Sequence, residues 1–227
     1  MIQFISELRN LLVDDLGIIV LLAALAAFVS LLFDSTQKMT RRYNASRGLI
    51  TRVLDLLVVE VANIVKQHEP NTDISFRASI FGSWGKRSDV ISIYYYSTNM
   101  RNSDDLDIKL RKTIGATGYA WEYKSPVIAD LTVAEAGQGK AWGLSDDQIK
   151  LTSKLTTIMA FPLIKPMNPE KVVAVLSLDT NEHMFGSAGK NLVAEIMHKR
   201  YFLELVTVYA DIIAGILDEY GLAVPLD

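Results

Sequence analysis

Hydrophobic positions along the chain change period several times, and each change marks an element. From Leu16 to Phe33 the run LGIIVLLAALAAFVSLLF carries no charge and is apolar on every side except at Gly17 and Ser30. At helical rise it spans about 27 Å, close to the thickness of a membrane core, whereas a buried soluble helix shows a polar face. The run predicts one transmembrane helix over 16–33; a cleaved signal peptide or a core helix suits its length and flanks less well. Before it, residues 1–15 place Ile2, Ile5, Leu8 and Leu12 at helical spacings, which reads either as a short interfacial helix or as a plain polar lead.

After the apolar run the period becomes that of an amphipathic helix over 34–70. Ile50, Leu54, Leu57, Val61 and Ile64 recur at spacings of four and three, a coiled-coil seam. Leu49, Val53, Leu56, Val58 and Val59 widen the apolar stripe. The helix must therefore bury more than one face, against its own domain and against a partner chain. The turn formers of HEPNTD, His68 to Asp73, end it.

From Ile74 the period is that of strands. ISFRASIFGSW and DVISIYYYST flank a Gly85-Lys86-Arg87-Ser88 turn, and alternation places Ile91, Ile93 and Tyr95 on one side with Ser92, Tyr94 and Tyr96 on the other. Leu106 to Leu110 predicts a strand, Thr117 to Tyr123 a short helix after the flexible IGATG, and Pro126 to Leu131 a further strand or extended loop. Thr132 to Gln148, with Gly137, Gly139 and Gly143, reads as loop with short helices. LTTIMAFPLIK and KVVAVLSLDT, separated by PMNPE, predict a hairpin. Beyond Gly186 and Gly189, Leu192, Ile196, Leu203, Val206, Ala210, Ile213 and Leu217 keep a helical register to about Tyr220, interrupted at Lys199, and 221–227 form a tail. The fold class is α+β: about six antiparallel strands over 71–186, flanked by helices at 34–70 and 187–220 and preceded by one transmembrane helix.

Charge orients the chain. Glu7, Asp14 and Asp15 precede the apolar run, while Lys38, Arg41, Arg42 and Arg47 follow it, so the positive-inside rule places the C-terminal domain in the cytoplasm of a single-pass protein of the inner (plasma) membrane. A net charge of -3 and a pI near 5.7 give no basic surface for nucleic acid. The absence of cysteine removes disulfides, thiolate nucleophiles and Cys-ligated metals.

The order IGATGYAWEYKSPVIADL, Ile114 to Leu131, then TTIMAFPL, Thr156 to Leu163, then KVVAVLSLDT, Lys171 to Thr180, resembles the GAF family of small sensory domains. The first segment is similar to the family's Gly-x-x-Gly helix, Pro-Val strand and Asp. The second resembles its Ser-Met-Leu-x-Val-Pro strand with Thr157 in place of Ser, and the third its Val-Val-Gly-Val-Leu strand with Ala174 in place of Gly. The resemblance covers about Leu49 to Tyr220. It implies a ligand held on one sheet face under variable loops, and dimerisation through the flanking helices. It also implies limits: without cysteine there is no bilin attachment point and no thiol for methionine sulfoxide reduction, and the Asn-Lys-x-Asp motif of the phosphodiesterase domains is missing, which argues against cyclic-nucleotide binding by that mode.

Catalytic chemistry is thin. His68, His183 and His198 are scattered and read as solvated or structural. Asp104, Asp105 and Asp107 read as a solvated acidic turn, since an ion-binding loop needs more placed oxygens. Walker, nucleophile-elbow and Rossmann patterns are absent, and the chain is read as non-enzymatic. For binding, Tyr94, Tyr96, Tyr119, Trp121 and Trp142 offer aromatic surface, and Arg77, Ser79, Thr117, Thr157 and Ser177 offer polar contacts. For any single aromatic a place in the core is an equal reading. Asp130 and Asp179 read as backbone partners at strand ends.

The expectation is a membrane-anchored GAF-type sensor that binds a small molecule, among them a cyclic nucleotide, and signals as a homodimer to a separate output protein. Two alternatives are a defence effector that disrupts the membrane on binding a nucleotide messenger, and a ligand-free dimeric membrane scaffold. Gly17, Ala23, Ala24, Ala26 and Ala27 permit a close helix approach, which signalling and membrane disruption both tolerate. The ligand or cofactor is not legible in the residues.

Overall fold

The computed structural model describes residues 2–70, 74–83, 88–131, 140–165, 167–182 and 191–220, with side chains described throughout from residue 44 and, before it, only at 28–30, 34, 35, 37, 38 and 40–42. Contacts divide the chain into two compact units, Met1–Asn44 and Ala45–Asp227. One helix, α1 (Ile2–His68), contributes to both. In the first unit Lys38 and Asp34 pair at 2.7 Å across one exposed turn. Among the described residues no helix is long and apolar enough to cross a membrane. Most side chains of the Leu16 to Phe33 run lie outside the described set, and Phe28 and Val29 within it are exposed.

In the second unit six strands form one antiparallel sheet in the order β3-β2-β1-β6-β5-β4. They are β1 (Phe76–Ser83), β2 (Val90–Tyr96), β3 (Lys109–Arg111), β4 (Val127–Asp130), β5 (Thr157–Lys165) and β6 (Asn168–Thr180). The helices are α2 (Gly115–Tyr123), α3 (Asp146–Thr152), α4 (Leu192–Met197) and α5 (Arg200–Tyr220). The predicted hairpin is β5–β6, paired from Thr157↔Thr180 to Lys165↔Asn168. The segment expected to be a strand from Leu106 begins instead as a 3-10 turn, Asp104–Asp107, and only Lys109–Arg111 joins the sheet. Glycines 85, 137, 139, 186 and 189, His183 and the tail 221–227 lie outside the described residues.

The alternation predicted for β2 breaks at Tyr94. Ile93 pairs with Phe81, but Tyr95 pairs with Ile80, so Tyr94 is an extra residue in the ladder. Such a bulge reverses which face later residues occupy. Ile93 therefore shares the face of Phe81, and Tyr95, 1% exposed, lies on the face of Ile80.

Alternation holds along β1 and β4 and along β6 from Ala174 to Thr180, giving the sheet two buried faces, while beyond Leu163 the β5–β6 ladder shifts register. On one, Ala78 and Ile80 of β1, Leu176 and Leu178 of β6 and Met159 of β5 are fully buried. There α5 packs on β5 and β6 through Val206, Ala210, Ile213 and Leu217. The last turns of α1 run beside α5, where the Tyr201 hydroxyl meets His68 Nε2 at 2.7 Å. They reach the end of β2, where Asp55 accepts the Thr98 backbone N–H and hydroxyl, each at 2.7 Å. Of the seam assigned in part to a partner chain, Ile50, Leu54, Leu57 and Val61 are all 0% exposed within this chain and Ile64 is half-buried. The long C-terminal helix expected from residue 187 is two helices, α4 and α5, with the break at His198 and Lys199.

Candidate functional site

The other sheet face is covered by α2, α3 and their loops. α2 begins at Gly115 with φ of 71°, a left-handed conformation that suits glycine. Gly118 lets the helix approach the β3 end so closely that a Cβ there would meet the Arg111 carbonyl oxygen at 2.5 Å. These two glycines are the Gly-x-x-Gly pair of the sequence, and they set the height of the roof over the sheet. α3 is held by a capping box, in which the Ser145 hydroxyl accepts the Gln148 N–H and the Gln148 side chain accepts the Ser145 N–H. Gln148 Nε2 also donates to the Lys109 carbonyl at 2.6 Å, tying α3 to the sheet edge.

Between roof and sheet lies a pocket of about 80 Å³. Its walls are mostly apolar: Phe81, Ile93, Ile108, Leu110, Leu144 and Ile158. Ser79 and Ser177, directly paired across β1 and β6, bring two hydroxyls to it, and Thr117 of α2 brings a third. All three residues are less than 5% exposed, and their hydroxyls make no hydrogen bond among the described residues. Trp142 also lines the pocket, and its buried indole N–H has no acceptor. The hydroxyls open into the pocket, while the Trp142 N–H is buried, and a buried polar group is seldom left without a partner.

Asp105 and Asp179 complete the lining, and both hold Arg77. Arg77 Nε donates to Asp179 Oδ1 at 2.7 Å, its Nη2 to Asp105 Oδ2 at 2.7 Å and its Nη1 to Ser103 Oγ at 2.7 Å. Two carboxylates share one guanidinium. Burial pushes the Asp179 carboxyl up to about 6, against the pull of Arg77 and with a further upward push from Asp105. Burial also works against the Arg77 charge, but the two carboxylates outweigh it and hold the guanidinium above its ordinary value. Asp179 Oδ2 makes no hydrogen bond among the described residues. Beside the pocket, a more open groove of about 620 Å³ runs past Arg77, Asp104, Asp147, Lys150 and Lys154.

Ser79, Thr117, Trp142 and Ser177 of the ten candidate residues line the pocket. Arg77 lies beneath it as the partner of both carboxylates. Tyr119 touches Trp142 edge-on, with centroids 5.6 Å apart, and stacks on Tyr123. Trp121 packs against the core under α2 with Lys112 Nζ 4.9 Å from its ring centre. Tyr94 is buried at the β2 bulge. The Tyr96 hydroxyl accepts from Arg47 of α1 at 3.2 Å. Thr157 is one residue out of phase with Ile158 of the pocket and accepts from Asn191 Nδ2 at 2.9 Å.

Two readings of the sequence change. Asp105, expected in a solvated turn, is 7% exposed because Arg77 draws it inward. Asp179, expected on backbone, binds the guanidinium instead. Both belong to the pocket, and the hydrophobic pattern gave no sign of it. Among the described residues no cluster of His, Asp or Glu could hold a metal ion.

No protein-family model matches the chain, and no curated protein matches it in sequence. Solved structures match it in fold. The GAF domain of an Acinetobacter phosphoenolpyruvate-protein phosphotransferase is 14% identical over 82% of this chain and 92% of its own, with a TM-score of 0.46. A type II free methionine-R-sulfoxide reductase from Thermoplasma acidophilum is 9% identical over 79% and 96%, with a TM-score of 0.47. The GAF domain of a two-component sensor histidine kinase from Bacillus halodurans is 17% identical over 70% and 93%, with a TM-score of 0.43. Two of these three similar structures are GAF domains.

Proposed function

We propose that the chain is a membrane-anchored, non-enzymatic sensor that binds a small molecule in the pocket under α2 and α3 and signals as a homodimer to a separate partner protein. The observation that carries this reading is one mostly apolar pocket to which Ser79, Thr117 and Ser177 bring hydroxyls and in which the buried Trp142 N–H has no acceptor. The non-enzymatic reading rests on the sequence, which holds no cysteine and no Walker, nucleophile-elbow or Rossmann pattern.

Anchoring rests on the uncharged run from Leu16 to Phe33 and the basic residues after it, which favour a cytoplasmic domain at the inner membrane. Alkaline carbonate should leave the chain in the membrane fraction; extraction of the intact chain would remove the anchor from the proposal.

Dimerisation rests on apolar residues that remain exposed where α1 and α5 run side by side. These are Leu49, Leu56 and Val59 on α1, and Tyr201, Val208 and Ile212 on α5. Leu49 to Leu56 and Tyr201 to Val208 are each one heptad apart, the spacing that a second copy of the same helix pair would cover.

The binding test is thermal denaturation of the purified full chain against a library of metabolites of both charge signs. A ligand at a hundredfold excess over its dissociation constant adds about 2.7 kcal/mol, a shift of several degrees. The shift should vanish in Ser177→Ala and Thr117→Val, which keep side-chain volume close to the native. A library in which nothing stabilises the chain would overturn the sensor reading in favour of a ligand-free scaffold.

A further inference from the structure

The pocket is acidic, and that selects its ligand. Of the described residues that line it, the charged ones are Asp105 and Asp179, with no Lys, Arg or His among them. Among the described residues the guanidinium of Arg77 meets these same carboxylates, so that a single positive charge faces two acids. Asp179 is 5% exposed, and its Oδ2 makes no hydrogen bond among the described residues. The basic side chains Lys150 and Lys154 line the outer groove instead.

We infer that the pocket binds a compact organic cation, a small ammonium compound with an apolar body, rather than a nucleotide or another anion. This rests on the reading of the pocket as a ligand site and names the chemistry that it accepts. The ammonium group donates to Asp179 and to the oxygens of Ser79 and Ser177, which face each other across the β1–β6 ladder. The apolar body fills the space walled by Phe81, Ile93 and Ile158. The Trp142 N–H selects among such cations for one that also carries an oxygen acceptor. A phosphate placed here would lie beside two carboxylates with no cation of its own, and like charge in a buried site opposes binding.

The test uses shape-matched probes of opposite charge on the purified full chain. Isobutylammonium, isobutyrate and cyclic AMP are titrated at millimolar concentration while the melting temperature is followed. Isobutylammonium should raise it by about 2 °C or more and isobutyrate should not. The shift should disappear in Asp179→Asn, whose Arg77 keeps Asp105, and in Ser177→Ala, should Asp179→Asn fold poorly. The ammonium shift should grow as pH rises through 6, where Asp179 gains its charge facing Arg77 of β1 and Asp105 of the 3-10 turn. Stabilisation by isobutyrate or cyclic AMP that is lost in Ser177→Ala would overturn the inference and leave the pocket standing as a ligand site. Cyclic AMP binding that Ser177→Ala leaves intact, with no ammonium shift, would place the nucleotide in the outer groove and overturn the inference as well. No shift with any of the three probes overturns it too, and the metabolite library then decides whether the sensor reading falls with it.

Discussion

Asp179 faces Arg77 directly across the β1–β6 ladder, and its carboxylate accepts the guanidinium Nε–H at 2.7 Å while its other oxygen is left to the pocket. The pair is buried, and a second acid, Asp105, competes for the same cation. A guanidinium divided between two carboxylates does not fully offset the cost of ionising either one in a dry site.

That arrangement makes stability depend on pH in an unusual direction for an ion-paired acid. The Asp179 carboxyl, ordinarily at 3.8, is raised to about 6 in the fold. A raised acid holds its proton in the native chain when the unfolded chain has lost it, so its contribution is full below about 4 and is lost as pH rises through 6. The shift corresponds to about 3 kcal/mol. The stability difference between wild type and Asp179→Asn, measured by urea denaturation, should therefore fall by up to that amount between pH 4 and pH 7. A flat difference would contradict the burial of the carboxyl.

Gly118→Ala should destabilise the domain by about 1–3 kcal/mol, since the added methyl meets the Arg111 carbonyl at 2.5 Å and backbone must shift. Gly48→Ala and Gly215→Ala serve as controls, because nothing lies within 4 Å of the new methyl at either site. In helix interiors each should gain up to about 1 kcal/mol. Equal melting temperatures for all three variants would refute the close approach of α2.

The two apolar stripes of α1 separate folding from association. Leu57→Ala removes a side chain that is 0% exposed and should cost about 2–5 kcal/mol in any oligomeric state. Leu56→Glu and Val208→Glu change side chains that are 58% and 56% exposed, so the domain should fold and light scattering should show the mass of a single chain. A wild-type chain that already scatters as a monomer at micromolar concentration would end the dimer proposal.

Asn191 joins three elements through one side chain. Its oxygen accepts the Val193 and Ala194 N–H groups at the start of α4, and its nitrogen donates to Asp130 of β4 and Thr157 of β5. Asn191→Ala loses a helix cap, about 1 kcal/mol, and takes a donor from the buried Thr157, for a total of roughly 2–3 kcal/mol. Asn191→Asp, which keeps the cap but places a carboxylate beside Asp130, should also destabilise, and less so at low pH. Denaturation of either variant at the wild-type midpoint would show that the link is idle.

Periodicity made most of the sheet legible, because each strand is buried and its register follows side-chain alternation. The β5–β6 hairpin is readable for that reason, whereas the Gly-x-x-Gly helix follows from the family resemblance and starts at Gly115, two residues before the Thr117 that the local pattern predicts. The bulge at Tyr94 is not readable, since one extra residue leaves no mark in a run of three tyrosines. At the site, Ser79, Thr117, Trp142 and Ser177 could be picked out as polar or aromatic groups in predicted strands and roof. Thr157 could not be separated from them, because a shift of one position along β5 decides which face a side chain meets. Asp105 and Asp179 lie 74 residues apart and are joined only by Arg77. No local pattern announces a charge balance assembled from such distant positions. The heptad seam of α1 posed the opposite problem, because an apolar stripe has the same spacing whether it meets its own sheet or another chain.

Along β6 the two faces of the sheet alternate. Val175, Ser177 and Asp179 fall on the side of the pocket, while Ala174, Leu176, Leu178 and Thr180 fall on the other, where α5 packs. Pocket lining and helix packing are thus written in alternate letters of one strand. Substitution at the odd letters changes the charge or size of the pocket wall, while the even letters keep α5 seated. One face of this strand can be rewritten without the other having to relearn its packing.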